Sequence, residues 1–335
     1  MSGGCGCKIS PSVLKKLLKP IRQLDDKKLK VSFNTSDDAA VYEISKNRYI
    51  VSTTDFFVPI VDDPFHFGEI AATNAISDIY AMGAKPLFAL SILGVPKKNT
   101  NHKIIEKILI GASSKCNEAK INILGGHTIE INEPVFGLAV IGEINNKKII
   151  TNSKAKYGDT IILTKPLGVG VYSAAFKKKK LNRNDYKEFI KVTTLLNKPG
   201  YELSKIIPIN AMTDVTGFGL LGHLYETCLA SQVQATIYSD SIPIMSSAKK
   251  FLKDKIFTGA SSKNFEFVKS NIKFQSKAPI DLKNLLCDPQ TSGGLLMFVN
   301  KKNSQKALQY LIQNRFQNAA IIGEVKKSNP MINIM

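Results

Sequence analysis

Short apolar runs and longer amphipathic stretches succeed one another in the first half of the chain. Glycine or proline bounds the runs, as is typical of strands, and the longer stretches repeat their apolar residues at helical spacing. We predict strands at 39–41, 49–53, 87–95 and 135–144. We predict helices between them, at 67–82 and 104–119.

A short helix is also predicted near the start of the chain, at 10–18. Ser10 can cap this helix, and Pro11 suits its first position. An apolar stripe then follows at Val13, Leu14, Leu17 and Leu18.

The second half repeats the mixture of strands and helices. Strands are predicted at 160–164, 233–238, 295–299 and 320–325. Helices are predicted at 170–179, 185–196, 217–230 and 304–313. This pattern indicates an α+β protein in two parts. We predict a tail with a short helix over 1–34, a first domain over 35–155 and a second over 156–335.

Composition places the chain among soluble globular proteins. It has 335 residues, of which 44% are hydrophobic and 22% charged. The longest nearly apolar run, 87–95, is too short to span a bilayer, and the first residues lack the pattern of a signal peptide. Five scattered cysteines fit reduced thiols better than disulfides. We therefore predict a cytoplasmic protein without a membrane partner.

The net charge of +19 raises the question of nucleic-acid binding. The lysines are dispersed, and the densest run, Lys177 to Lys180, ends a predicted helix, where cations complement the helix dipole. No aromatic-rich basic stripe or zinc-finger spacing accompanies it. The pattern favours a solvated lysine-rich surface, and nucleic-acid binding stays as the less favoured alternative.

Reactive chemistry is concentrated in the segment Gly4-Cys5-Gly6-Cys7-Lys8. The thiolate is the reactive form of cysteine, and a neighbouring ammonium lowers the thiol pKa. Glycines make such a tail mobile, so its side chains can be carried to a site built elsewhere.

Aspartates surrounded by small or apolar residues recur at four places: Asp37 with Asp38, Asp55, Asp78 and Asp214. At helical spacing, Asn74 shares a face with Asp78. A half-buried carboxylate is costly unless a cation or hydrogen bonds compensate it. Converging aspartates would suit Mg²⁺ bound together with nucleotide phosphates. The alternative is that they are caps, turns and surface acids, with Asp37 and Asp38 closing an Asx turn.

Gly125 and Gly126 follow the strand-like run 121–124 and predict a turn. Glycines there would let backbone N–H groups approach a phosphate, and Thr128 would add a hydroxyl donor. No Walker A sequence occurs in the chain, and no GxGxxG opens a helix directly after one of the strands predicted here. For His127 we favour a backbone role over that of a base.

The remaining histidines and cysteines yield no further site. His223 is expected to be a helix-surface or core residue. Packing thiols are predicted at Cys116, Cys228 and Cys287. Cys5 and Cys7 alone supply too few ligands for a closed zinc site.

Taken in order, these blocks resemble the selenide, water dikinases, also called selenophosphate synthetases. The matching stretches are GCGCKISP at 4–11, TSDDAAVY at 35–42, TTDFFVPIVDDP at 53–64, NAISDIYAMGAKP at 74–86, GGHTIE at 125–130, TKPLGVG at 164–170, MTDVTGFGLLGHL at 212–224 and DPQTSGGLL at 288–296. The tail motif separates this family from relatives that share the aspartate and glycine blocks.

The resemblance implies a two-domain aminoimidazole ribonucleotide synthetase-like fold. Its N-terminal sheet would form a β-barrel across a homodimer, and the first domain would bind ATP and Mg²⁺. The implied reaction converts ATP, selenide and water into selenophosphate, AMP and phosphate. A selenium-delivery protein is left open as a further partner.

Carried over position by position, the resemblance implies that Cys5 and Lys8 are catalytic, with Lys8 on the nucleotide phosphates and Cys7 dispensable. The Mg²⁺ ligands would be Asp38, Asp78 and Asp214. Nucleotide contacts would come from Lys8, Thr35, Ser36, Asp37, Asp55, Asp78, Gly126, His127 and Thr128.

Two alternatives remain. One is another ATP-dependent enzyme of the superfamily, such as an aminoimidazole ribonucleotide synthetase or a thiamine-monophosphate kinase, which would leave the Cys5–Lys8 motif without a purpose. The other is a non-catalytic basic protein that binds nucleic acid or delivers selenium, which would not explain the four acidic sites.

Overall fold

The computed structural model describes residues 3–9, 11–22, 24–97, 101–145, 148–276 and 278–335, without the side chains at 5, 7, 11, 12 and 15. A 3₁₀ turn at Gly4–Cys7 precedes the first helix, and another at Phe33–Thr35 precedes the second strand. The elements of the first part are α1 (Pro11–Leu18), β1 (Leu29–Val31), β2 (Ala40–Ser45), β3 (Arg48–Phe57), α2 (Pro64–Ala81), β4 (Lys85–Pro96), α3 (His102–Glu118), β5 (Asn122–Ile131) and β6 (Val135–Ile144).

The strands of the first part form one six-stranded sheet in the order β1-β2-β3-β6-β4-β5. All neighbours are antiparallel except β4 and β5, which run parallel. Side chains of β3 alternate between buried and exposed, because α2 covers only one face of the sheet. In the described single chain the sheet is open, with β1 and β5 at its edges, so the predicted barrel is not closed within one chain.

The second part contains a seven-stranded sheet in the order β10-β13-β9-β12-β7-β11-β8. β10, β13 and β9 run parallel and the others antiparallel. Its elements are β7 (Asp159–Leu163), α4 (Val169–Lys177), α5 (Arg183–Thr193), α6 (Pro199–Ile206), β8 (Ile209–Asp214), α7 (Gly219–Ser231), β9 (Gln234–Ile237), α8 (Ala248–Lys253), α9 (Gly259–Val268), β10 (Ile272–Phe274), α10 (Ile280–Leu286), β11 (Leu295–Asn300), α11 (Lys301–Gln313), β12 (Ala320–Lys326) and β13 (Met331–Ile334).

Helix α2 joins the two parts. It packs on the first sheet and on α3, and also contacts β8, α5 and α6 of the second part. Nearly every residue from Phe67 to Ala81 is therefore buried, including Asn74 and Asp78. The first sheet ends at Ile144 and the second begins at Asp159, and the predicted domain boundary lies between these strands.

Most of the predicted elements are present, with shifted ends. The strand at 135–144 is confirmed in full. Helix α2 begins earlier than predicted because the Asp63 side chain accepts a hydrogen bond from His66 N at 3.0 Å and Pro64 takes the first position. The predicted cap Ser10 lies outside the described residues. Among the described residues, no helix combines the length and apolar composition needed to cross a bilayer.

The prediction of a turn at Gly125 and Gly126 is wrong. Both residues lie inside β5, where Gly126 pairs with Ser91 of β4. The strands approach so closely there that a Cβ on Gly126 would lie 2.1 Å from the Ser91 carbonyl oxygen. Glycine is thus required for strand packing at this position.

We predict that Gly126→Ala destabilises the protein by about 1–3 kcal/mol, because the added methyl group overpacks the β4–β5 contact. Gly125→Ala is a matched control: φ is +159° at Gly125 and +157° at Gly126, but a Cβ on Gly125 meets only Leu90 Cδ2 at 3.9 Å. Urea unfolding of both variants measures the difference. Equal losses would contradict the packing argument.

Candidate active site

Three carboxylates from three separate segments of the chain converge between the two sheets. Asp38 precedes β2, Asp78 lies on α2, and Asp214 ends β8. One carboxylate oxygen from each lies within 4.8 Å of the other two. The structure therefore brings together the three residues predicted to bind metal.

Each carboxylate is oriented by a neighbouring hydroxyl group. Thr213 Oγ1 donates to Asp38 Oδ1 at 2.8 Å, Thr53 Oγ1 to Asp78 Oδ2 at 2.5 Å and Ser77 Oγ to Asp214 Oδ2 at 2.5 Å. Asp38 Oδ2 and Asp214 Oδ1 are buried with no hydrogen-bond partner among the described residues. An unpartnered buried carboxylate oxygen is costly, so both atoms point to a missing ligand.

Burial raises the pKa of all three carboxyl groups. For Asp38 the negative charges of Asp214 and Asp78 raise the pKa further, and for Asp78 those of Asp214 and Asp55 do. For Asp214, the Ser77 hydrogen bond and the positive charge of Lys8 partly offset the effect of burial. Like charges held this closely need a cation or protons.

The donor set fits a hard divalent cation. All three side chains offer carboxylate oxygens, and two of those oxygens are buried and unpartnered. Mg²⁺ prefers such oxygen ligands and usually shares them with phosphate oxygens and water. Asp38, Asp78 and Asp214 could therefore hold a cation on a nucleotide.

Asp55 connects the tail to this cluster. The strand predicted at 49–53 continues to Phe57 as β3, and Asp55 occupies a position on its buried face. Lys8 Nζ donates to Asp55 Oδ2 at 2.9 Å, and Asn74 Nδ2 donates to the same oxygen at 2.7 Å. The side chains of Cys5 and Cys7 lie outside the described part of the structure, so their roles stay predictions.

The loop that carries Thr35, Ser36 and Asp37 is held in place by Asn152. Asp37 Oδ1 accepts from Asn152 N at 2.7 Å, and Asp37 Oδ2 accepts from Thr35 Oγ1 at 2.5 Å. Asn152 Nδ2 donates to the Ser36 and Thr35 carbonyl oxygens at 2.9 and 3.1 Å. Burial raises the Asp37 pKa, and the hydrogen bonds from Thr35 and Asn152 oppose the increase. Both Asp37 oxygens therefore act in shaping the loop.

The predicted nucleotide contacts at 126–128 are not brought to the cluster within one chain. They lie on β5, at the far edge of the first sheet, and β6 and β4 separate this strand from β3. Residues 126–128 are therefore three strand spacings, or roughly 14 Å, away from β3. His127, for which we favoured a backbone role, pairs with Ile92 inside the sheet.

Three further buried side chains support the site, and the sequence did not single them out. Asn197 Nδ2 donates to Ser77 Oγ and to the Gly293 carbonyl oxygen, each at 2.8 Å. Lys165 Nζ donates to the Ser292 carbonyl oxygen at 2.9 Å, and burial lowers the Lys165 pKa to about 7 despite the negative charge of Asp214. Asn152 is the third. Of these three residues, only Lys165 had a signal in the sequence, because it is a charged residue close to an apolar run.

The histidine and the three cysteines that we predict to have structural roles are buried. His223 is buried on α7 and its ring lies 5.4 Å from that of Phe218. Cys116, Cys228 and Cys287 are buried free thiols, and burial raises the pKa of each to about 12. Thiols of this kind are poor nucleophiles.

Comparison with known proteins identifies the fold family. The model of the AIR synthase related protein N-terminal domain matches residues 36–144, and that of the C-terminal domain matches residues 156–332. A crystal structure of a HypE–HypF complex is similar with a TM-score of 0.72 and 19% identity, covering 97% of this chain and 96% of the other. At that identity the likeness concerns the fold alone.

Sequence relatives are much closer. The selenide, water dikinase of Pseudomonas straminea is 47% identical over 334 residues, covering 98% of this chain and 93% of the relative. The selenide, water dikinase of Dechloromonas aromatica (strain RCB) is 45% identical over 334 residues, covering 99% and 96%.

We predict that Mg²⁺ stabilises the protein, and more so at about pH 8 than at about pH 5, because protons compete for the carboxylates. Burial raises the pKa of each carboxyl group above 3.8, so the folded protein without a cation binds these protons more tightly than the unfolded chain does. The free energy of unfolding of the cation-free protein is therefore higher at low pH, and it falls as the pH rises through the raised pKa values. Thermal melts with Mg²⁺ and with EDTA measure both trends.

Asp214→Asn should weaken Mg²⁺ affinity at least about tenfold. The exposed Asp240→Asn serves as the matched control and should leave the affinity unchanged. A Mg²⁺ effect that is equal at both pH values, or equal in the two variants, would remove the cation from this cluster.

Proposed function

The chain belongs to the selenide, water dikinase family, and we propose that it converts ATP, selenide and water into selenophosphate, AMP and phosphate. The observation that carries this proposal is the position of the tail. Lys8, three residues after Cys5, forms an ion pair with Asp55 beside the carboxylate cluster. The Lys8 ammonium is thereby held beside a site suited to a metal-bound nucleotide, and the role of Cys5 there is part of the proposal.

Mg²⁺ held by Asp38, Asp78 and Asp214 would neutralise charge on the triphosphate. Lys8 has three N–H donors, so it can keep Asp55 as one partner and still donate to a phosphate oxygen. Such donors stabilise the charge that develops as the γ-phosphoryl group leaves. Phosphoryl transfer depends mainly on this kind of positioning and charge neutralisation.

Selenide is already a strong nucleophile, so its attack on the γ-phosphoryl group needs no general base. We propose that Cys5 holds or positions selenium at the tail. The second step, hydrolysis of the resulting ADP to AMP and phosphate, needs a placed water molecule. A closed tail would keep selenide and any phosphoryl intermediate away from bulk water until then.

The other enzymes of the superfamily share the aspartate and glycine blocks, so the fold does not separate them from a selenide, water dikinase. The tail does, because an aminoimidazole ribonucleotide synthetase or a thiamine-monophosphate kinase would give Cys5 and Lys8 no task. The non-catalytic alternative is disfavoured by the carboxylate cluster, which nucleic-acid binding would not need.

We predict that anaerobic incubation with ATP, Mg²⁺ and selenide yields AMP, orthophosphate and a selenium-bonded phosphorus signal in ³¹P NMR. Cys5→Ser and Lys8→Ala should each lower selenide-dependent turnover at least about 100-fold. Cys7→Ser, the matched control on the same tail, should keep most of the turnover.

ADP as the final product, or turnover that does not depend on selenide, would contradict the proposed reaction. An equal loss in the Cys7 variant would contradict the separate roles of the two cysteines. Tight, steeply salt-dependent oligonucleotide binding would instead support the nucleic-acid alternative.

We propose that the protein is a homodimer that pairs the open faces of two first sheets. The face not covered by α2 carries apolar side chains that are 38–52% exposed in one chain: Tyr42, Ile44, Phe56 and Leu90. An apolar face of this kind is typical of a protein interface. A second copy would also supply another β5, so that residues 126–128 could reach a nucleotide across the dimer.

We predict that Phe56→Lys raises the dimer dissociation constant at least about tenfold, because it places a charge in the centre of this face. Ile312→Lys is the control, since Ile312 is 41% exposed on α11, away from the sheet face. Sedimentation velocity measures both. A monomeric wild-type protein, or equal behaviour of the variants, would contradict this interface.

We also propose a cytoplasmic location, which the three buried free thiols support.

A further inference from the structure

The loop 288–294, which joins α10 to β11, is fixed to the second part of the chain. Asp288 Oδ2 accepts hydrogen bonds from Gly170 N at 2.9 Å and Val171 N at 3.2 Å. Gln290 Oε1 accepts from Gly168 N at 3.1 Å and Val169 N at 3.2 Å. These are the first backbone N–H groups of α4, which otherwise lack partners. The loop therefore caps α4 and cannot shift independently of it.

The opposite side of the same loop contacts the tail. Gly4 N donates to the Val58 carbonyl oxygen at 3.1 Å. A Cβ on Gly4 would lie 2.3 Å from Thr291 Oγ1 and 2.7 Å from Ile60 Cγ2, and φ is +62° there. The tail thus passes between Thr291 and Ile60 with space only for glycine.

Asn74 connects the loop to the acceptor of Lys8. Its Oδ1 accepts from Ser292 N at 2.7 Å, and its Nδ2 donates to Asp55 Oδ2 at 2.7 Å. Asn74 is completely buried. Lys8 donates to that same Asp55 oxygen, so the loop, Asn74, Asp55 and the tail form one continuous set of contacts.

We propose that the loop 288–294 is the docking site of the N-terminal tail, with Thr291 and Asn74 as positioning residues that hold Lys8 at the carboxylate cluster. Thr291 fixes where the tail passes, and Asn74 fixes the orientation of the Asp55 carboxylate to which Lys8 binds. The second part of the chain would thereby control closure of the tail. The effect of docking on catalysis rests on the proposed function, whereas docking itself does not.

Docking can be measured without turnover by hydrogen–deuterium exchange of the Gly4 amide in the full chain. We expect Asn74→Ala, and separately Thr291→Leu, to accelerate this exchange about tenfold, because an undocked tail loses the hydrogen bond to Val58. Asn264→Ala is the matched control. Asn264 is also a buried asparagine and donates to the Gly217 and Cys287 carbonyl oxygens, both of which lie outside the tail.

A double-mutant cycle separates positioning from general destabilisation. If Asn74 acts through Asp55 and Lys8, Asn74→Ala should add little to the exchange of a Lys8→Ala protein. In the selenide-dependent assay, Asn74→Ala should lower kcat about tenfold while the KM for ATP changes little, since misplacement of a catalytic group acts on the chemical step.

Exchange at the wild-type rate in Asn74→Ala and Thr291→Leu would overturn the proposal, as would equal acceleration in Asn264→Ala. If Asn74→Ala does not fold, Thr291→Leu and Gly4→Ala decide, because both act at the contact itself. If the exchange results hold and the wild-type protein shows no selenide-dependent turnover, docking stands and only the proposed function fails.

Discussion

The structure depends on one constraint: an oxygen from each of three buried or half-buried carboxylates lies within 4.8 Å of the other two. Desolvation and mutual repulsion both oppose their ionised forms. Each is oriented by a hydroxyl group from Thr213, Thr53 or Ser77, yet two oxygens keep no partner among the described residues. Such an arrangement is stable as an ionised cluster only with a cation, which supports the proposal that the cluster binds one.

Helix α2 connects the carboxylate cluster to both domains. Asn74 and Asp78 lie one turn apart on the same face, as their spacing predicted. Asp78 joins the carboxylate cluster, whereas Asn74 joins the loop 288–294 and, through Asp55, the tail. A single helical turn therefore connects the proposed metal site to the proposed catalytic lysine. Burial of α2 on nearly all sides follows from these contacts with both domains.

The sequence predicted the residues of the carboxylate cluster because each aspartate interrupts an apolar or small-residue stretch, which is a local signal. It did not predict β8, because Asn210, Thr213 and Asp214 interrupt the continuous apolar run by which the equally buried β7 and β11 were predicted. The glycine pair in β5 was misinterpreted because the close approach of Ser91, 35 residues before Gly126, cannot be read from local sequence. Asn152 and Asn197 act through long-range hydrogen bonds, which have no signature at their own positions.

The two halves of the proposed site differ in how firmly they are held. The cluster carboxylates Asp78 and Asp214 are buried and fixed by short hydrogen bonds, whereas the Lys8 side chain is 37% exposed. An ion pair at that exposure contributes little free energy, because solvent screens it. The tail is therefore held by several weak contacts: the Lys8–Asp55 pair, the Gly4–Val58 hydrogen bond and the packing against Thr291. Weak contacts that act together would allow the proposed opening of the tail for substrates and its closure for chemistry. A fixed carboxylate cluster, combined with a tail that docks reversibly, would suit a reaction between a bulky nucleotide and an oxygen-sensitive nucleophile.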